Sequence, residues 1–324
     1  LGAARGDLIV TNDDIAGPID SSGEWIRQRT GIITRRRAGK DQSLMDMAVQ
    51  ASNEAINKAG IDPKEIGAVI FSTISHPYQT PSAAALLAEK IGANPAPAFD
   101  ISAACAGYCY GIAQADALVR SGVAKYVLVV GGEKLSDFID PTDRSISFLL
   151  GDGAGAAVLS CEEDLTKGIL STHLHSEGIH AEELVLKAPG MGGRWITDII
   201  ADHDPNDDSY FPYMNGQFVF KNAVVRFSEV INEGLQANNL NVSDIDMLIP
   251  HQANLRIAQF IQKKFGLTDD QVFNNIQKYG NTTAASIPIA LTEAWEQGKI
   301  KSGDTVVLAA FGSGFTWASA IIKW

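Results

Sequence analysis

The chain carries two copies of one pattern spaced about 180 residues apart, and an internal repeat of that kind constrains a fold more than any single motif. In the first copy a helical segment, AINKAG, leads through the turn IDPKE into the apolar run IGAVIFST. In the second, INEGLQANN leads through NVSD into IDMLIPHQ. Asp62-Pro63 and Ser243-Asp244 are the turn and cap signals. Farther along, SGVAKYVLVVGGE matches SGDTVVLAAFGSG, where Ser121-Gly122 and Ser302-Gly303 end a helix and an unbroken apolar strand follows. Runs without polar alternation belong to strands covered on both faces. The pattern predicts an α/β protein of two βαβ-rich halves, with helices covering the sheets. The first half spans 1–169 and the last spans 217–324. The segment 170–216, rich in His, Gly, Pro and Asp, breaks the rhythm and is expected to be a long insertion loop over a site.

At 324 residues the chain can bury a sizeable core, and 45% hydrophobic with 20% charged residues is the balance of a globular protein. No apolar run approaches the ~20 residues of a bilayer span, and the start lacks a basic region with an apolar signal core. A cytoplasmic protein with no membrane partner is expected; Leu1 in place of Met suggests a trimmed start. A net charge of -12 argues against nucleic acid as a partner, because phosphate attraction needs a clustered positive field. Three cysteines, Cys105, Cys109 and Cys161, form no disulfide framework.

Cys105 stands where a short strand, FDI, passes through Ser102-Ala103-Ala104 into a helix predicted over Tyr108 to Arg120. Exposed N–H groups and the helix dipole at that position favour a thiolate, so a lowered thiol pKa is expected. His251 follows the strand Ile245 to Ile249, and Asn281 sits beside Gly280 before a helix of small residues. Sites in α/β sheets form at such strand ends.

The runs DISAACAG, PHQANLRI and YGNTTAASIP, in that order, closely resemble the β-ketoacyl-acyl-carrier-protein synthase III family of the thiolase superfamily. EWIRQRTGI, LLGDGAGAAVL, MNGQFVFKNAV and FGSGFTW extend the resemblance over nearly the whole chain. It implies a thiolase-like fold in five α-β-α-β-α layers, and a catalytic set of Cys105, His251 and Asn281. It implies that an acyl-CoA primer acylates Cys105, and that the decarboxylation of malonyl-acyl-carrier protein supplies the attacking enolate in the first condensation of fatty acid synthesis. Backbone N–H groups of Cys105 and Ser313 would form the oxyanion hole. FGSGF departs there from the commoner FGGGF.

Further roles follow from the same resemblance. Trp25 and Arg144 would sandwich the adenine of coenzyme A, Arg29 would meet its phosphates, and Asn254 would lie along the pantetheine arm. Thr80, where several relatives carry Phe, would present the gate to the acyl pocket of the neighbouring subunit of a homodimer, and its smaller size admits branched or longer primers. Arg256, Lys263 and Lys264 share one face of a helix and would dock the acidic carrier protein. No cofactor beyond the coenzyme A thioester substrate is implied, and no metal. His173 and His175 form an H-x-H pair that strand alternation explains without a metal. The alternatives are a related condensing enzyme, for a specialised ketide or a head-to-head product, or a non-catalytic acyl-CoA-binding protein. The former normally use an additional glutamate base, and none is apparent beside the three motifs.

Overall fold

The computed structural model describes residues 1–161, 164, 166–187 and 210–324. Among these residues the strands are, in chain order, β1 (Gly2–Arg5), β2 (Leu8–Thr11), β3 (Thr34–Arg37), β4 (Ile66–Ser72), β5 (Ala98–Ile101), β6 (Tyr126–Glu133), β7 (Gly153–Ser160), β8 (Gly168–Ser176), β9 (Leu184–Val185), β10 (Tyr213–Met214), β11 (Met247–Pro250), β12 (Thr305–Gly312) and β13 (Thr316–Lys323). One large sheet has the order β1-β7-β6-β4-β5 and the other β11-β12-β13-β8.

The two sheets repeat each other. β4 lies parallel to β6 as β11 does to β12, β6 antiparallel to β7 as β12 to β13, and β7 antiparallel to β1 as β13 to β8. Each central strand follows an equivalent helix: Leu44–Ala59 precedes β4 and Gly216–Ala237 precedes β11, while Gly107–Arg120 precedes β6 and Ser286–Glu296 precedes β12. The paired turns also match. Pro63–Glu65 and Val242–Asp244 are single 3-10 turns closed by capping boxes, Asp62 with Glu65 and Asn241 with Asp244.

Alternation along the buried strands sorts their side chains into layers. Val127 and Val129 of β6 meet Val306 and Leu308 of β12 through the helices Gly107–Arg120 and Ser286–Glu296, which fill the space between the sheets. Leu128 and Val130 face outward onto the helices Leu44–Ala59 and Ala83–Ile91. Val307, Ala309 and Phe311 face the opposite way, onto Gly216–Ala237 and Leu255–Phe265. The result is the five-layered α-β-α-β-α thiolase-like fold. β6 is unbroken apolar from Val127 to Val130 and β12 from Val306 to Phe311 because both faces of each are covered.

The expected boundary needs correction. Residues 168–176 are not loop but β8, the counterpart of β1 and the edge of the second sheet, so that half begins before 170. His173 and His175 point to one face of it, where Glu233 meets both, and Leu174 points into the core. The rest of the expected insertion contributes the short β9–β10 ribbon, and 188–209 lie outside the described residues. Among the described residues no helix is long and apolar enough to cross a membrane.

Candidate active site

Cys105 sits in a 3-10 turn, Ala104–Ala106, between β5 and the helix Gly107–Arg120, one residue longer at its start than expected. Ala104 takes φ +43°, a left-handed conformation rare outside glycine, and this turns the chain sharply at the nucleophile. The second half has the same device: Thr283 takes φ +42° in the turn Thr283–Ala285 before its own helix, so Ala284 is the counterpart of Cys105. Gly312 lets the end of β12 close on Cys105, since a Cβ there would stand 2.7 Å from its Cβ and 3.1 Å from its sulfur. The backbone N–H groups of Cys105 and Ser313 favour the anionic form of that sulfur.

The thiol pKa is the reverse of the expected one. Cys105 is only 8% exposed, and burial, with a smaller contribution from the charge of Glu133, pushes its pKa up to about 12 against those two N–H groups. The resting side chain is therefore a thiol. A helix start is legible in a sequence, whereas the burial of the side chain is not.

His251 follows β11 and is locked by its N–H donating to Ala309 at 2.8 Å. Burial presses its pKa down to about 3, so the ring is neutral. Nδ1 lies 2.6 Å from the Ser286 hydroxyl, whose oxygen accepts the Gln252 N–H at 3.3 Å. When the Ser286 hydroxyl donates to Nδ1, the ring proton is on Nε2. Nε2 is buried and has no protein partner. Asn281 is fixed on both sides of its backbone, by Leu149 at 2.7 Å and Gly151 at 2.9 Å. Its Oδ1 accepts from Thr283 N–H at 2.8 Å, so its NH₂ is the end left to donate.

Cys105, His251, Asn281 and Ser313 line a single cavity of about 750 Å³. A second cavity of about 670 Å³ shares Leu149, Met214, Gly216, Phe220 and Asn254 with it, so the two adjoin, and we call the second the mouth. Trp25, Arg29 and Arg144 line this mouth, with the Arg29 guanidinium 5.0 Å and that of Arg144 5.7 Å from the indole centroid. Phe148 packs edge-on to the same ring at 5.4 Å. Asn254 caps the helix Leu255–Phe265 and donates to the Arg29 carbonyl at 3.2 Å. Arg256 also lines the mouth, and Lys263 and Lys264 are exposed on the last turn of that helix. Thr80 is exposed and does not line the cavity of its own chain, although His76 and Gln79 do.

Several residues of the site escaped the sequence reading. Lys221 adds a fourth cation to the mouth beside Arg29, Arg144 and Arg256; it stands in MNGQFVFKNAV without a distinguishing signal. Ser286 reads as one more small helix residue. Glu133 closes an apolar strand and was not recognised beside the motifs. It is fully buried behind Cys105, accepts from Thr73 Oγ1 at 3.2 Å, from the N–H groups of Ile74 and Ser75 and from Ser75 Oγ, and burial raises its pKa to about 7. It braces the loop after β4 and does not line the cavity.

A buried cysteine at a helix start that shares one cavity with a neutral histidine and an asparagine, on a duplicated five-layer fold, is the arrangement of a condensing enzyme of the thiolase superfamily. The family 3-Oxoacyl-[acyl-carrier-protein (ACP)] synthase III matches residues 99–178, and its C-terminal family matches 235–324. The β-ketoacyl-acyl-carrier-protein synthase III of Salmonella paratyphi A is 44% identical over 98% of this chain and 96% of its own, and that of Escherichia coli O9:H4 is 43% identical over the same shares. The crystal structure of the Aquifex aeolicus 3-oxoacyl-acyl-carrier-protein synthase III superposes with a TM-score of 0.91 at 40% identity, covering 100% of this chain and 98% of that one. The chain belongs to the β-ketoacyl-acyl-carrier-protein synthase III family, and it is an acyltransferase of the initiating condensation of fatty acid synthesis.

Proposed function

We propose that Cys105 carries the acyl primer and that His251 and Asn281 stabilise the enolate that attacks it. Acyl-CoA enters with its adenine between Trp25 and Arg144, its phosphates near Arg29 and its pantetheine arm passing Asn254. The Cys105 sulfur attacks the thioester carbonyl, and the negative oxygen that forms accepts from the N–H groups of Cys105 and Ser313. The carbon to coenzyme A sulfur bond then breaks, and the thiol proton leaves with coenzyme A.

Malonyl-acyl-carrier protein docks on Arg256, Lys263 and Lys264, and its thioester oxygen receives hydrogen bonds from Nε2 of His251 and the NH₂ of Asn281. Loss of carbon dioxide leaves the enolate, whose carbon attacks the acyl group on Cys105. Collapse releases the β-ketoacyl product, and the sulfur regains a proton from solvent. Decarboxylation makes the carbanion without abstracting a proton from carbon, so this chemistry calls for no metal or further cofactor. A neutral histidine donor suits an oxygen that becomes negative only during the reaction.

A homodimer is part of the proposal. β5 is the edge of the first sheet, with Phe99 partly exposed on it, and an unpaired edge can continue into a second copy. Thr80 would then reach the neighbour's pocket, where a small gate leaves room for branched or longer primers. The enzyme would work in the cytoplasm, where its thioester substrates are available.

The observation that carries this reading is that Cys105, Asn281, Ser313 and a His251 whose Nε2 has no protein partner line one cavity, with Gly312 letting the end of β12 close on the sulfur. Intact-protein mass spectrometry with acetyl-, isobutyryl-, isovaleryl- and longer acyl-CoA tests it. One covalent acyl group per chain is expected, absent in Cys105→Ser. No adduct from any primer would refute the role of Cys105.

A further inference from the structure

Ser313 does two separable things. Its N–H favours the anionic form of the Cys105 sulfur, and its backbone is braced without help from the side chain: Gly312 pairs with Thr316 across β12 and β13, and Thr316 Oγ1 reaches the Ser313 carbonyl at 2.9 Å and the Ala103 carbonyl at 3.0 Å. The hydroxyl is left for another task. It donates to the Leu184 carbonyl at 2.5 Å, 129 residues away in sequence.

Leu184 begins β9, a two-residue strand that belongs to neither large sheet and, among the described residues, pairs with Tyr213–Met214 alone. Upstream, the Glu183 carbonyl accepts from the Asn215 N–H of the paired strand at 2.9 Å, and the chain is fixed to the second sheet at Glu177, which exchanges backbone hydrogen bonds with Phe315 at 2.8 Å in each direction. The ribbon matters because of what it lines. Leu184, Val185 and Leu186 form wall of the inner cavity that holds Cys105, yet none of them lines the mouth.

We propose that Ser313 is a specificity-determining residue: its hydroxyl tethers the Leu184–Leu186 wall over the inner cavity and thereby limits the length of acyl chain that Cys105 accepts. The inference rests on Cys105 carrying the acyl group. An acyl chain on the sulfur must lie within the inner cavity, so a held wall caps its length and a released wall lets longer chains displace it. A neutral hydrogen bond shifts such an equilibrium by roughly 2- to 10-fold.

The test compares rates of Cys105 acylation by butyryl- and dodecanoyl-CoA, read by intact-protein mass spectrometry, for the parent enzyme, Ser313→Ala and Ser313→Thr. The dodecanoyl to butyryl ratio is expected to rise about 2- to 10-fold in Ser313→Ala and to return toward the parent value in Ser313→Thr, which keeps the hydroxyl. A loss confined to the oxyanion hole would slow both chains alike and leave the ratio unmoved, and that result overturns the tether. If Ser313→Ala does not fold, Ser313→Gly removes the same hydroxyl with a residue that any backbone accepts. A parent enzyme acylated by no primer refutes the role of Cys105 and this inference with it, whereas acylation with an unaltered ratio removes the tether alone.

Discussion

Ser286 stands against the ring of His251: its hydroxyl lies 2.6 Å from Nδ1, across the space between the start of one central helix and the end of β11, and by donating there it would keep the ring proton on Nε2. Without it the ring can turn, or carry its proton on Nδ1, and Nε2 no longer donates in every molecule. Ser286→Ala should therefore slow carbon dioxide release from malonyl-acyl-carrier protein by about tenfold, the worth of one well-placed hydrogen bond in a dry site. Acyl transfer from acyl-CoA to Cys105 does not use this donor and should stay within about twofold. Equal losses in the two half-reactions would show that Ser286 serves packing instead.

The buried thiol sets the pH dependence of chemical labelling. With its pKa pushed up to about 12, Cys105 is almost entirely protonated at neutral pH. Alkylation by iodoacetamide should be slow near pH 7 and should keep climbing past pH 9, where an unperturbed thiol levels off. A plateau reached below pH 8 would mean that the two N–H groups outweigh burial.

Much of this site is legible in the sequence because the chemistry resides in short contiguous runs. Cys105, His251 and Asn281 each lie at the end of a strand or beside a tight turn, and the repeat that carries them appears as the equivalent strand pairs β4–β6 and β11–β12. What escapes is whatever depends on distance between runs. Glu133 looks like the end of an apolar strand until the loop Thr73–Ser75 is seen folded onto it, and Ser286 looks like packing until His251 stands against it. β8 was read as loop because its His and Ser residues obscure an alternation that only β13 makes evident.

Trp25 offers a split between the two substrates. Its indole, with Arg29 and Arg144 over it, lies at the mouth, where adenine would stack. Trp25→Ala should raise KM for acyl-CoA by about tenfold, as expected for one lost stacking partner at a partly exposed site. A carrier protein presents its arm without adenine, so KM for malonyl-acyl-carrier protein should move far less. Steady-state kinetics with each substrate varied in turn checks this, and a parallel rise in both constants would place Trp25 on the shared arm.

Lys263 and Lys264 offer the complementary split. Both are exposed on the last turn of a helix whose other face is held by Ile257, Ala258 and Ile261, so reversing their charge leaves the core untouched. Lys263→Glu combined with Lys264→Glu should raise KM for malonyl-acyl-carrier protein at least about fivefold at low salt, with the difference shrinking as added salt screens the surface. KM for acyl-CoA should hold. A variant indistinguishable from the parent at low salt would remove this helix from the docking surface.

Cys105 and Cys109 stand one helical turn apart, and both thiols are pushed up to about 12 by burial, from 9.0 for an unperturbed cysteine. Tyr108 between them is raised as well, again by burial. An unfolded chain releases these protons as pH passes 9 to 10, while the folded chain keeps them. The unfolded state then binds fewer protons than the native one, so stability must fall as pH rises, by about 1.4 kcal/mol per pH unit for each titrating group. Urea unfolding between pH 8 and 11 should show this decline growing steeper above pH 9. Cys109→Ala removes one of the three groups while leaving the nucleophile in place, so it should cost some stability at pH 8 through lost packing and yet lose less on going to pH 11 than the parent does. Equal pH slopes for the two proteins would show that the Cys109 thiol does not hold its proton in the folded chain.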